Sequence, residues 1–178
     1  TVMGSYPKMT VFEFLHFFAS CYHLEESKIR GRIHMLLELA GIRSWENSPM
    51  EVLPRAVMQK LSIVRAMLHE PKILVLDDPM MSLDLRTVAE IKEILLDYAE
   101  DGRTVFLTGS ALGDFSDLCT HLSFLHQGRV IRKGAVSRIF QEISAQNPIV
   151  IQFNGKRTEI MGILKDDRRV KSISLKEN

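Results

Sequence analysis

The segment Ile73-Leu74-Val75-Leu76-Asp77-Asp78-Pro79 constrains the fold of this chain more than any other. Its apolar run is continuous rather than alternating, as in a strand covered on both faces within a parallel sheet. Pro71 suits the start of such a strand, and the run stops abruptly at two acids and a proline. Downstream, Val88, Ile91, Leu95 and Tyr98 share one face of a helix expected over 86–99. Asp101-Gly102 then makes a turn into a second buried-type strand, Thr104-Val105-Phe106-Leu107. Strand, helix and strand at this length form a βαβ unit, whose crossover is right-handed. In open α/β sheets, ligands sit outside the carboxyl ends of the strands. Asp77 and Asp78 stand at such an end, where one acid can orient Mg²⁺ through water and the next can orient an attacking water. A strand that ends in a polar turn accounts for the same residues equally well.

The region before this unit reads as helical. Thr10 and Glu13 have the spacing of a capping box and open the apolar stretch Val11-Phe12-Glu13-Phe14-Leu15-His16-Phe17-Phe18, which is expected to bury most of its surface. A second helix spans about 25–40, with Ile29, Ile33, Leu36, Leu37 and Ala40 on one face and Gly41 as its stop. A third spans about 55–69. It carries Val57, Leu61, Val64 and Leu68 on a stripe and leaves Arg55, Lys60 and Arg65 off it. After the βαβ unit, His121 to Leu125 reads as a strand, Gln127-Gly128 as a hairpin turn into Val130-Ile131, and 136–143 as a helix. Beyond Pro148, a β-rich stretch at 149–153, a short helix at 158–164 and an alternating strand at 170–175 read as a small extension.

Composition removes several functional classes. The chain has 178 residues, 46% of them hydrophobic, and a net charge of +1. That balance does not fit a broad electrostatic grip on nucleic acid or a disordered chain. Cys21 and Cys119 lie far apart, without a zinc-ribbon or disulfide pattern. The histidines do not pair at metal-ligand spacing, no Gly-x-Ser-x-Gly nucleophile motif is present, and no apolar run has the length of a membrane span. The start, TVMGSYPKMT, lacks a signal-peptide pattern and a leading methionine, so an excised piece of a longer protein is expected.

In their order and spacing, these features resemble the nucleotide-binding domain of ATP-binding cassette (ABC) proteins. The matching residues are Gln59-Lys60-Leu61-Ser62-Ile63-Val64-Arg65-Ala66-Met67-Leu68-His69-Glu70-Pro71-Lys72, the strand ending in Asp77-Asp78-Pro79, Ser82-Leu83-Asp84, and the Leu125 to Val130 hairpin with Gly134. The likeness covers about 1–140 and is closest to the bacterial subset that drives ABC-2 exporters. It implies an α/β, P-loop NTPase-like fold in which 1–69 form a helical signature subdomain and 70–147 the second half of the RecA-like core. Residues 148–178 would be an incomplete C-terminal extension.

By this resemblance Asp77 is the Walker B aspartate that holds Mg²⁺ through water, and Asp78 stands where the catalytic glutamate is usual. Asp84 belongs to the D-loop, and Ser110 replaces the switch-loop histidine. Leu53, Pro54, Arg55, Ala56 and Val57 occupy the signature, normally Leu-Ser-Gly-Gly-Gln, whose hydroxyl and amides approach the γ-phosphate across a dimer. Pro54 offers neither hydroxyl nor N–H. Arg55 and Ala56 carry side chains where backbone must come close. Asp78 is one methylene short in a geometry sensitive at about 1 Å, and Ser110 cannot carry an imidazole's charge. No Gly-x-x-x-x-Gly-Lys-Ser/Thr phosphate loop occurs in the chain.

The resemblance therefore implies a partial, degenerate ATP-binding subunit of a membrane exporter. It would use ATP and Mg²⁺, pair with a second ABC domain and meet a transmembrane permease through Tyr6 to Phe18. It would lie peripherally on the cytoplasmic face of the plasma membrane and bind no nucleic acid. The alternative is a non-hydrolytic regulatory module paired with a competent domain. A soluble ABC protein of translation or DNA repair is a third class, but those usually carry two cassettes or a long coiled-coil insertion. Without a phosphate loop, the chain by itself is expected to hydrolyse no ATP.

Overall fold

In the computed structural model the described residues are 6, 8–110, 113, 115–146, 160–162, 164, 170 and 173. The chain divides into two compact units, Thr1–His121 and Leu122–Asn178. The strands and helix expected at 149–153, 158–164 and 170–175 lie wholly or mostly outside the described residues.

The first unit opens with three helices, α1 (Val11–Cys21), α2 (Glu26–Leu39) and α3 (Arg55–Met67). The capping box forms as the sequence predicts. The Glu13 amide donates to the Thr10 hydroxyl at 3.2 Å, and the Thr10 amide donates to the Glu13 carboxylate at 2.8 Å. Gly41 adopts φ 64° just past α2, the left-handed stop that glycine permits. Ile29, Ile33, Leu36, Leu37 and Ala40 are all buried, so the apolar stripe of α2 is its core face. They pack with Phe14, Leu15, Leu61 and Leu68, and the same cluster extends to Ile91 and Leu95. Arg32 closes the far end of α3, donating to the Met67 carbonyl at 2.9 Å and pairing with Glu70 at 3.0 Å.

Strand β1 (Ile73–Asp77) and strand β2 (Thr104–Thr108) flank α4 (Leu85–Glu100). They pair in parallel from Ile73↔Thr104 to Asp77↔Thr108, which is the expected βαβ unit. One expectation is corrected here. Continuous hydrophobicity predicts cover on both faces, yet Ile73 is 63% exposed, Val75 65% and Phe106 58%, whereas Leu74 is buried. Within this unit α3 packs on β1 and α4 on β2, so the helices cover one face and the other stays bare. Helix α1 departs in the same direction. Val11, Phe14, Leu15 and Ala19 are buried, but Phe17 is 45% exposed.

Lys60 lies off the apolar stripe of α3 and is nevertheless buried. Its Nζ donates to the Ala40 carbonyl at 2.9 Å and to Glu90 at 2.6 Å, and these two acceptors replace the water it gives up.

From Leu122 onward the second unit contains a hairpin, of β3 (His121–His126, whose first residue ends the first unit) and β4 (Arg129–Ala135), followed by α5 (Val136–Gln146). Gln127 and Gly128 have φ 47° and 74°, as a two-residue turn matched to strand twist requires. Ile139 of α5 is buried close to Gly134.

Candidate functional site

The parallel register places the last residue of β1 beside the last residue of β2, Asp77 against Thr108. The Thr108 hydroxyl donates to the Asp77 carboxylate. The next amide, Asp78 N–H, donates to the Thr108 carbonyl at 3.0 Å and lies 3.2 Å from its hydroxyl. Asp78 sits at φ 44°, a left-handed conformation that aspartate tolerates better than most residues. It turns the chain sharply out of the strand. Asp77, Asp78 and Thr108 thus form one linked edge, with exposed Ser110 two residues beyond Thr108. Sequence reasoning does not single out Thr108. The usable signal is the pairing of two equal-length strands, which sets the two ends side by side.

The other predicted residues fall elsewhere. Pro54 is the N-cap residue of α3, in extended conformation and without a side-chain cap. Leu53 is half-buried, whereas Pro54 and Arg55 are exposed. The Arg55 guanidinium reaches the Met81 carbonyl at 3.4 Å, and Gln59 donates to the Pro79 carbonyl at 2.9 Å. The start of α3 is thereby tied to the loop that follows Asp78. Ala56, Val57 and Asp84 line a groove of about 670 Å³, together with Lys60, Glu90 and Trp45. Asp84 is the N-cap of α4. One carboxylate oxygen accepts from the Thr87 amide at 3.0 Å and the other from the Thr87 hydroxyl at 2.7 Å. These bonds hold its carboxyl below the usual range, with the hydroxyl contributing most.

Several other carboxyls are lowered: Glu13 by the Thr10 amide and hydroxyl, Glu90 by Lys60 and then Arg86, and Asp117 by Lys92. A lowered folded value means a contribution that is complete above the unfolded carboxylate range and lost as pH falls through the folded values. Urea midpoints are therefore expected to hold steady from about pH 7 to 5 and to drop below about pH 4. A midpoint that rises on acidification overturns this expectation.

Among the described residues, no group of three His, Cys, Asp or Glu side chains could hold a metal ion by itself. The carboxylates of exposed Asp77 and half-buried Asp78 are hard donors of the kind Mg²⁺ accepts, and that ion keeps most of its water. They fit a role in a shared ligand set. On α1, Met9, Phe12, Glu13, His16, Phe17 and Ser20 line a separate groove of about 440 Å³ with mainly apolar walls.

No family model matches the chain. It is similar to the ABC transporter ATP-binding protein NatA of Bacillus subtilis, with 28% identity over 138 residues, 78% of this chain and 56% of that protein. It is also similar to the Nod factor export ATP-binding protein I of Cupriavidus metallidurans, with 30% identity over 128 residues, 72% of this chain and 42% of that one. Among solved structures it matches cbiO1 of Clostridium perfringens, part of the ABC transporter complex cbiONQ. The TM-score is 0.69 at 27% identity, over 78% of this chain and 55% of that chain. The chain spans about half the length of the curated relatives it matches. No described helix is long and apolar enough to cross a membrane. The parallel βαβ unit ending in Asp77-Asp78-Pro79, the three helices before it and these relatives agree: over about three quarters of its length the chain is similar to the ATP-binding subunits of ABC transporters.

Proposed function

We propose that this chain is part of the ATP-binding subunit of an ABC-type exporter and works at the cytoplasmic face of the membrane. The observation that carries this reading is the Asp77–Thr108–Asp78 edge at the carboxyl ends of two parallel strands. Asp77 holds Mg²⁺ through water, and Asp78 orients the attacking water. Ser110 stands at the switch position and donates a hydrogen bond in place of an imidazole. The Leu53 to Val57 segment and Asp84 face a second ABC domain. The export-type relative supports the direction of transport.

The permease is met through Tyr6 to Phe18. Support comes from the apolar groove on α1, where Phe17 is exposed although it sits in an aromatic group with Tyr6 and Phe18. The departures at Leu53 to Val57, Asp78 and Ser110 favour slow chemistry. The 178-residue chain alone is expected to show no ATP turnover, and EDTA-sensitive hydrolysis by it would sink that part of the proposal.

In the assembled transporter ATPase, Asp78→Ala is expected to lower turnover by about 100-fold, the scale of a lost proton-handling group. Unchanged turnover would instead identify this domain as the non-hydrolytic regulatory partner of a competent one.

A further inference from the structure

Gly109, the residue between Thr108 and Ser110, is a glycine for an unusual reason. Its φ is not among the positive values found at Gly41, Gly102 and Gly128, so it does not supply conformational freedom. It supplies space. A β-carbon there would lie 2.1 Å and 2.4 Å from two ring atoms of Phe115, inside any permitted contact. No other described glycine is approached closer than 3.8 Å. Phe115 is buried. Its carbonyl accepts from the amides of Leu118 and Cys119 at 3.2 Å and 2.9 Å, which fixes the turn that carries it. That turn is held to α4 by Lys92, whose Nζ meets the Asp117 carboxylate at 2.7 Å.

A continuous set of contacts therefore runs from α4 through Asp117 to Phe115, from its ring to Gly109, and from Thr108 to Asp77 and Asp78. We infer that Phe115 is a positioning residue of the candidate site: its ring, seated on Gly109, sets the Thr108–Ser110 segment against the two acids. The inference rests on reading that edge as the ATP site, and it adds a control element there. Displacing the 115–119 turn frees Ser110 and loosens the hold of Thr108 on Asp77 and Asp78.

The Asp78 amide reports on this arrangement directly, because it donates to the Thr108 carbonyl. In amide hydrogen exchange on the intact chain, Gly109→Ala and Phe115→Ala are each expected to speed exchange at Asp78 by about tenfold. The core amides of Leu37 and Leu95 should keep their protection. Phe115→Leu, which refills most of the volume, keeps Asp78 protected. In the double variant G109A/F115A the clash is gone, so exchange at Asp78 stays at the level of Phe115→Ala alone and the two effects do not multiply.

Acceleration spread evenly over the core, or a double variant in which the two effects multiply to about 100-fold, overturns the inference. A folded Phe115→Ala protein with Asp78 fully protected does so too. The same variants in the assembled ATPase separate the two readings. A fall in kcat at unchanged KM supports a positioning role. Local exchange changes with turnover unaltered retain the latch and overturn the assignment of this edge as the ATP site.

Discussion

Phe14→Ala is expected to lower the unfolding free energy by about 3–5 kcal/mol, the cost of emptying a large buried aromatic site. Phe14 is fully buried, with its ring centroid 5.5 Å from that of Tyr6 and 4.9 Å from that of Phe18. The core of the first unit closes around it, and neighbouring rings relax only partly into such a gap. Phe17 lies three positions along the same helix and should behave oppositely. It is 45% exposed and lines the apolar groove on α1. Phe17→Ala is expected to cost less than about 1 kcal/mol but to weaken association with a permease. Urea unfolding of both variants, with co-purification of the membrane partner, separates the roles. Equal stability losses would show that the groove is ordinary core.

Glu90→Ala is expected to cost about 2–3 kcal/mol, and Lys60→Met only about 1 kcal/mol. The order follows from which group is left stranded. Removing Glu90 leaves an ammonium that is 8% exposed with a single carbonyl acceptor, Ala40 O. Removing Lys60 leaves a carboxylate that is 35% exposed and still paired with Arg86 at 2.9 Å. The loss is set below the range for a fully buried pair because water reaches Glu90. Since Lys60 joins the end of α2 and helix α3 to α4, the two variants also report how firmly the helical layer is fixed to the βαβ unit. Equal costs, or a larger cost for Lys60→Met, would contradict this account.

What can be read beforehand follows the range of the interactions. The Thr10–Glu13 box, the stripe of α2 and the apolar run of β1 are local, and each forms within a residue or two of its expected bounds. The position of Asp77 and Asp78 is legible as a strand end. Their partner Thr108 is not, because that pairing is created by register. Lys60 and Phe115 are illegible for a similar reason. A lysine off the stripe is ordinarily solvated, and nothing local to α3 announces Glu90. Gly109 reads as a loop residue until the Phe115 ring is placed above it. The bare face of Val75 and Phe106 misleads because continuous hydrophobicity encodes what a strand tolerates, not what covers it within a given unit.

The carboxylate of Asp84 is occupied on both oxygens by Thr87, so this side chain begins a helix, and the contact with a second ABC domain proposed above would fall on the same carboxylate. Alanine at this position would shorten α4 from its first turn, and any loss of transport would carry that unwinding with it. Serine and asparagine keep the helix start while removing the charge. Such variants separate the helix start from the proposed contact, so any signalling proposed through Asp84 is to be judged against capped, uncharged variants rather than against alanine.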